Sequence, residues 1–340
     1  MKARMLLTRG TYLLIVCLIV FVIMVKATKP RILILHSYTP DFSWVAEINT
    51  GLQRVLKGKP YFLRYHYMDT KRHPEEGFKL KAGLAARRMI DRWKPHVIIA
   101  VDDNAQQYVA RHYGNRPEIG IVFCGVNAEP GAYGYDKASN ITGILERIPI
   151  GSVREGLQAA FYPERKRIFH IADASETSEY ISEELGTYNW EPFPFGKSVL
   201  CRTFEDWKDA VRDATASSDI LLITHYHTLS RSSHDPSIVP PREVIRWTME
   251  NTPLPIVGCW AFFVEDGGVL AFALSSFEQG EEAAKMAISI VEKRKQPHEI
   301  PAGVSKQLLI CARESELIRH HIKLPAIYEA FARATGNYFP

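Results

Sequence analysis

The sequence predicts an α/β protein of two Rossmann-like lobes, and three observations predict it. Short apolar runs recur, among them Ile32–Leu35, His96–Val101 and Ile220–Thr224. Runs of that length, bounded by polar residues, suit strands buried on both faces of a parallel sheet. Segments with helical apolar spacing separate them, which is the β-α-β rhythm of a doubly wound sheet. The rhythm runs once up to Glu146 and restarts at Arg167, so the 340 residues read as two domains.

Taken in order, Arg31 opens the first strand, which stops at His36-Ser37-Tyr38. A turn through Pro40 and Asp41 leads to a helix opening near Ser43 or Trp44, with Val45, Ile48, Leu52, Val55 and Leu56 on its apolar face. Tyr61–Met68 reads as a strand and Pro74–Trp93 as a helix with proline at its start. His96–Val101 is a strand ending in Asp102-Asp103-Asn104, and one of these aspartates is expected to cap a helix from Ala105 to Tyr113. Gly120–Phe123 is a strand ending in Cys124-Gly125-Val126-Asn127, and Glu129–Asn140 reads as loop. Asn140–Glu146 is expected to cross between the lobes, and a helix fits Gly151–Phe161.

In the second half, strands are expected at Arg167–Ala172, Lys197–Cys201, Ile220–Thr224, Pro255–Gly258, Val269–Leu274 and Gln307–Cys311. Helices are expected at Ser178–Leu185, Phe204–Ala214, Pro241–Glu250, Gly280–Arg294 and Glu314–His320. The expected division is residues 1–27 as a targeting segment, 28–145 as the first lobe and 146–300 as the second. Residues 301–340 then form a return segment to the first lobe and a tail.

The formal charge of +4 comes from the start of the chain. Lys2, Arg4, Arg9 and Lys26 lie in the first 27 residues, which hold no acid; the rest carries 38 basic and 38 acidic residues. A neutral body with no basic stripe argues against nucleic acid as a partner. The basic start followed by the uncharged run Gly10–Val25 reads as a cleaved secretory signal, or as an uncleaved anchor, with the body outside the cytoplasm. Cys124, Cys201, Cys259 and Cys311 are widely spaced without CxxC, so they are expected as buried free thiols rather than a zinc site or a disulfide framework.

The chemistry-bearing motifs of enzymes are few. Gly-x-Ser-x-Gly and a strand-linked Gly-x-Gly-x-x-Gly are absent, and Gly196-Lys197-Ser198 lacks the earlier glycine of a phosphate loop, where Glu191 stands. His225, His227, His234 and Asp235 offer metal-ligand chemistry, against the plainer reading of a polar loop. No catalytic residue, metal or cofactor is assigned. The binding reading rests on position. In open α/β sheets, ligands sit beyond the carboxyl ends of the strands. Those ends supply Ser37, Tyr38, Trp44, Asp103, Asn104, Asn127, Ser175, Tyr226, Trp260 and Phe262. Aromatics there can sandwich an apolar group, and carboxylates can hold a cation such as an amino group.

Ordered motifs add a resemblance. They are ILILHSYTPDFSW at 32–44, DDNA at 102–105, FCGVN at 123–127 and NITGILE at 140–146. PLPIVG at 253–258, EDGGVLAFALSSFEQGEEAAKMA at 265–287 and IKLP at 322–325 continue the series. In that order they resemble the substrate-binding proteins of ABC transporters with the type I periplasmic-binding-protein fold, in particular the branch called ABC-type uncharacterised transport system, periplasmic component. The resemblance implies two lobes joined by crossing segments and closing by a hinge over a small ligand, in related proteins often an amino acid. It also implies an ABC permease as partner. Similar domains occur in sensors, where the partner is a membrane signalling protein. Residues 328–340 extend beyond the usual end. The expectation is an extracytoplasmic solute-binding protein that catalyses nothing, with a membrane-anchored ligand sensor as the alternative.

Overall fold

A computed structural model describes residues 15–18, 29–161 and 166–340. The expected targeting segment, 1–27, lies outside these apart from 15–18. Among the described residues no helix is long and apolar enough to cross a membrane.

The first lobe is built on a six-stranded parallel sheet. Its strands are β1 (Arg31–His36), β2 (Phe62–Tyr67), β3 (Val97–Val101), β4 (Gly120–Val126), β5 (Ile141–Leu145) and the short β11 (Gly303–Val304). β3 and β4 are buried along their whole length, as is β1 after Arg31, which is why they read as unbroken apolar runs. The second sheet has seven strands: β6 (Ile168–Asp173), β7 (Phe195–Cys201), β8 (Ile220–Ile223), β9 (Ile256–Gly258), β10 (Leu270–Leu274), β12 (Leu308–Arg313) and β13 (Tyr338–Phe339). Every pairing is parallel except β10 with β12.

The order β2-β1-β3-β4-β5 in the first sheet is repeated as β7-β6-β8-β9-β10 in the second. In each, the order reverses beside the first strand, and such switch points leave a crevice at the strands' carboxyl ends. Helices α1 (Ser43–Leu56), α2 (Glu76–Trp93) and α3 (Asp103–Tyr108) connect strands of the first lobe. The second lobe uses α4 (Ile150–Phe161), α5 (Glu176–Thr187), α6 (Phe204–Ser217), α7 (Pro241–Asn251) and the single-turn α8 (Ala261–Glu265).

The chain changes lobe earlier than expected. Helix α9 (Ser276–Val291), placed by sequence in the second lobe, packs on α1 and on β3, β4 and β5 of the first. Two glycines make that packing possible. A Cβ on Gly51 would sit 2.1 Å from the Phe277 carbonyl oxygen, and one on Gly280 would sit 2.1 Å from that of Ile48. The two helix backbones touch where neither carries a side chain.

Residues 301–340 also divide differently. Only β11 joins the first sheet; β12 returns to the second, followed by α10 (Glu314–Arg319), α11 (Ala326–Ala334) and β13. The extension past 328 is therefore a packed edge, with α11 against β12 and β13 paired with it. NITGILE is not itself the crossing: it forms β5 inside the first sheet, and the crossing follows it at Glu146–Pro149. Two further crossings lie near Ser275 and Ser305–Gln307. Gln279, in the first turn of α9, ties them. Its side-chain oxygen accepts from Gly125 N at 2.8 Å, and its amide nitrogen donates to Leu145 O at 3.1 Å and Ser305 Oγ at 2.6 Å. Cys124, Cys201, Cys259 and Cys311 are buried free thiols.

Candidate functional site

The carboxyl ends of both sheets meet at one small buried cage. From the first lobe come Tyr38, Phe42 and Trp44 beyond β1, Lys71 beyond β2, Asp102 beyond β3, Asn127 beyond β4 and Glu146 beyond β5. From the second come Thr177 beyond β6, His225 beyond β8, and Trp260 and Phe262 beyond β9. The two switch points thus face each other. The space left is about 10 Å³, room for about one water at most. The cage opens past Tyr38, Lys71 and Thr177 into a cleft of about 590 Å³ between the lobes, also lined by Thr70, Asn104, Ser175 and Arg202. A hollow of about 640 Å³ lies elsewhere, on the second lobe alone. Its Arg242 and Arg319 are paired with Asp266 and Glu316, so the cleft is the stronger candidate.

The aromatic walls pack across the lobe boundary. Phe42 stands 5.6 Å from Phe262 and 5.0 Å from His227, ring centre to ring centre. Trp260 stacks on Phe262 at 5.9 Å, and His225 lies 4.4 Å from Trp260. Burial pushes His225 and His227 well below the ordinary histidine value, with Lys71 adding to it, so both rings are neutral. Their Nδ1 atoms are buried without hydrogen-bond partners. Among the described residues, no group of three or more His, Cys, Asp or Glu is placed to hold a metal ion. His234 and Asp235 are exposed, away from the buried His225 and His227.

Four carboxylates surround the cage, and they differ in how they are used. Asp103 accepts from Asn127 N and Ala128 N at 3.1 Å, from the Tyr133 hydroxyl at 2.7 Å and from Thr177 Oγ1 at 3.3 Å. Asp173 accepts from Ser175 Oγ at 2.6 Å, Ser178 Oγ at 2.7 Å and Thr228 N at 3.0 Å. Glu146 accepts from Trp260 Nε1 at 2.7 Å and Asn127 Nδ2 at 3.1 Å. Burial still lifts its carboxyl to about 8, helped by Asp103 and opposed by its hydrogen bonds and Lys71.

Asp102 is the exception. Its Oδ1 accepts from Trp44 Nε1 at 3.1 Å, but its Oδ2 is buried with no partner. Burial raises its pKa well above the usual carboxylate range, with Glu146 adding to it and Lys71 opposing. Its backbone lies at φ 66° and ψ 167°, a region almost reserved for glycine and costing about 1–3 kcal/mol elsewhere. Its N–H bond to Cys124 O and the Gln106 side-chain bond to its carbonyl hold it there.

Lys71 completes the cage. Its Nζ lies 4.4 Å from the Tyr38 ring centre and 5.4 Å from that of Phe42. Among the described residues it makes no ion pair within 4.0 Å. Burial lowers its pKa, against the pull of Asp173, Asp102, Glu146 and Asp103.

Of the ten residues expected from sequence, Tyr38, Trp44, Asn127, Trp260 and Phe262 line the cage, and Asn104 and Ser175 line the cleft beside it. Three are used otherwise. Ser37 is fully buried; its hydroxyl donates to Val101 O at 2.7 Å and accepts from Ala105 N at 2.8 Å. Ser37 thereby caps α3, the part assigned to an aspartate, and neither Asp102 nor Asp103 makes a cap bond. Asp103 is braced into the loop after β4. Tyr226 faces the second lobe's interior, where its hydroxyl donates to Asp266 Oδ2 at 2.8 Å. Its neighbours His225 and His227 take the cleft side.

Phe42, Lys71, Asp102, Glu146, Thr177 and His225 were not among the ten. Strand-end position was a signal for Lys71, three residues past the expected Tyr61–Met68 strand, and for Glu146.

With this geometry in place, comparison with solved structures identifies the class of fold. The chain has the type I periplasmic-binding-protein fold. It is similar to a conserved domain protein from Vibrio cholerae (16% identity, 89% of this chain and 98% of that one, TM-score 0.71). It is similar also to a Streptococcus pneumonia ABC domain in complex with L-Trp (15% identity, 89% and 98%, TM-score 0.68). A third is a ligand-free, open substrate-binding protein with adhesive properties from Clostridium difficile (17% identity, 87% and 96%, TM-score 0.60). No family profile and no curated protein sequence matches the chain.

Proposed function

We propose that the protein is an extracytoplasmic solute-binding protein. It captures a small metabolite, an amino acid or an aromatic compound, between its lobes and presents it to an ABC importer. The reading gives it no catalytic step. One observation carries it: strand ends from both lobes converge on an aromatic cage that holds a buried carboxylate oxygen with no partner. An unpaired buried acceptor is costly, and a ligand donor relieves it. A solute touching both walls stabilises the closed arrangement by its differential affinity for it. The L-Trp complex of the Streptococcus pneumonia structure supports a small-molecule reading of this cleft.

The test is a thermal-shift screen against amino acids, amines, purines, sugars and carboxylates. Binding to the folded state alone adds about 2.7 kcal/mol at a hundredfold excess over Kd. A shift with one class, lost in Asp102→Asn and Trp260→Ala, is the expected result. A cooperatively melting protein that responds to no class counts against the reading. A second reading, a membrane-anchored sensor, rests on the uncharged run Gly10–Val25 behind Lys2, Arg4 and Arg9. N-terminal sequencing of the mature protein separates the two: retention of Met1 favours the sensor, and a start at Thr28 the free binder.

A further inference from the structure

We propose that Lys71 is a tethered occupant of the cage, standing where the charged end of the solute goes. The solute is then an organic cation, a primary amine on an apolar or aromatic body, and it displaces the lysine as it binds. This rests on the solute-binding reading and names the chemistry of the solute.

The argument begins with the company that Lys71 keeps. Its ammonium faces two aromatic rings of the loop after β1, at 4.4 and 5.4 Å. An ammonium over such faces is attracted by the ring quadrupoles, more strongly when water is excluded. Asp173, Asp102, Glu146 and Asp103 pull on the same charge, in that order. An aromatic enclosure with acidic surroundings is a site for a cation, and here the chain supplies one.

The lysine is nevertheless held loosely. It makes no ion pair within 4.0 Å among the described residues. Asp103, Asp173 and Glu146 already accept hydrogen bonds from other donors. Of the four carboxylates, Asp102 is the one that keeps a buried oxygen with nothing attached, on a backbone in a conformation that non-glycine residues rarely adopt. Lys71 therefore offers the cage a charge without saturating its open carboxylate oxygen. A free amine can do both.

The lysine also has somewhere to go. Its side chain lines both the 10 Å³ cage and the 590 Å³ cleft, so swinging toward the cleft empties the cage without unfolding its loop. Finally, Lys71 belongs to the first lobe, and Asp173, its foremost electrostatic partner, to the second. Its charge therefore draws the lobes together before any solute arrives. The solute must carry an equivalent charge to do better.

The test removes the tether and supplies its side chain from solution. Lys71→Ala and the unaltered protein are melted with increasing n-butylammonium chloride, with 1-butanol and sodium chloride as controls. The expected result is a saturable rise of about 2–4 °C in Lys71→Ala with butylammonium only, the shift corresponding to a few-fold excess over Kd. In the unaltered protein the lysine competes and the rise is absent. No rise in the variant, an equal rise in the unaltered protein, or an equal rise with butanol overturns the proposal. Should Lys71→Ala fail to fold, Lys71→Gln is compared with the unaltered protein by solution scattering. A larger radius of gyration supports a closing role for the charge, and an unchanged one overturns it. These readouts do not depend on finding the solute. A protein that takes a sugar in the screen while Lys71→Ala ignores butylammonium keeps the binding reading and loses this one.

Discussion

Asp102 and Asp173 each stand where a strand meets the cleft, one in each lobe, and their surroundings are opposite. Asp173 receives three hydrogen bonds, from two serine hydroxyls and a backbone N–H. Burial alone would raise its pKa, but Lys71, Ser175 and Ser178 together hold it below the ordinary value. Asp102 receives one side-chain bond, keeps one oxygen unpartnered and is raised well above the ordinary value. Two equally buried carboxylates thus have different jobs. The first stitches the start of α5 to the loop after β8; the second is an acceptor kept open on a strained backbone. Partnering, more than position or burial, separates the brace from the carboxylate left open.

Substitution sharpens that contrast most. Asp173→Ala strands the donors of Ser175, Ser178 and Thr228, and is expected to lower unfolding free energy by about 3 kcal/mol in urea titrations. Asp102→Asn keeps an acceptor for Trp44 and the size of the side chain. It should change stability by less than about 1 kcal/mol while abolishing the response to amines in the screen. A reversed order would break the comparison. Next in size is Gly280→Ala. A methyl placed 2.1 Å from the Ile48 carbonyl forces α1 and α9 apart, at an expected cost of about 2 kcal/mol by the same titration.

Acidification comes third, and it acts on both lobes. Burial depresses His36, in the first lobe, to about 4, and His170, in the second, to about 3, so both fold neutral. Below 6.5 the unfolded chain takes up protons that these rings refuse, so stability present above 6.5 is lost as pH falls toward 4 and 3. Glu146 has the opposite sign. Its folded value of about 8 means that stability present below its ordinary 4.5 is lost as pH rises through 8. Melting temperature against pH should therefore fall on both sides of a near-neutral maximum, and Glu146→Gln should remove the part of the loss that runs between pH 4.5 and 8. A small effect is also expected for Trp44→Phe, about 1 kcal/mol by urea titration, because it removes a single indole donor from Asp102.

Much of the architecture was legible because strands buried on both faces read as apolar runs, and because the groups that line the cage follow strand ends. Tyr38, Trp44, Asn127, Trp260 and Phe262 were found that way. Lys71 was passed over because a lysine in a loop ordinarily points to water, and only the second lobe's approach encloses it. Asp102 was hidden behind Asp103, since nothing in an Asp-Asp pair says which carboxylate the loop after β4 will claim. Ser37 and Tyr226 sit in the right stretches with side chains committed elsewhere, to the start of α3 and to Asp266. The lobe to which α9 belongs depends on two glycines 229 positions apart meeting back to back, and local patterning carries no trace of such a contact.

The three passages of chain between the lobes have a mechanical consequence. A body hung from one strand can swivel and twist freely, whereas one hung from three can swing only about the line through its attachments. Gln279 clamps this line by holding Gly125, Leu145 and Ser305 together. Any pull between the two walls of the cage is therefore directed into one opening angle rather than dispersed into shear. The two walls return to the same facing registry each time they meet.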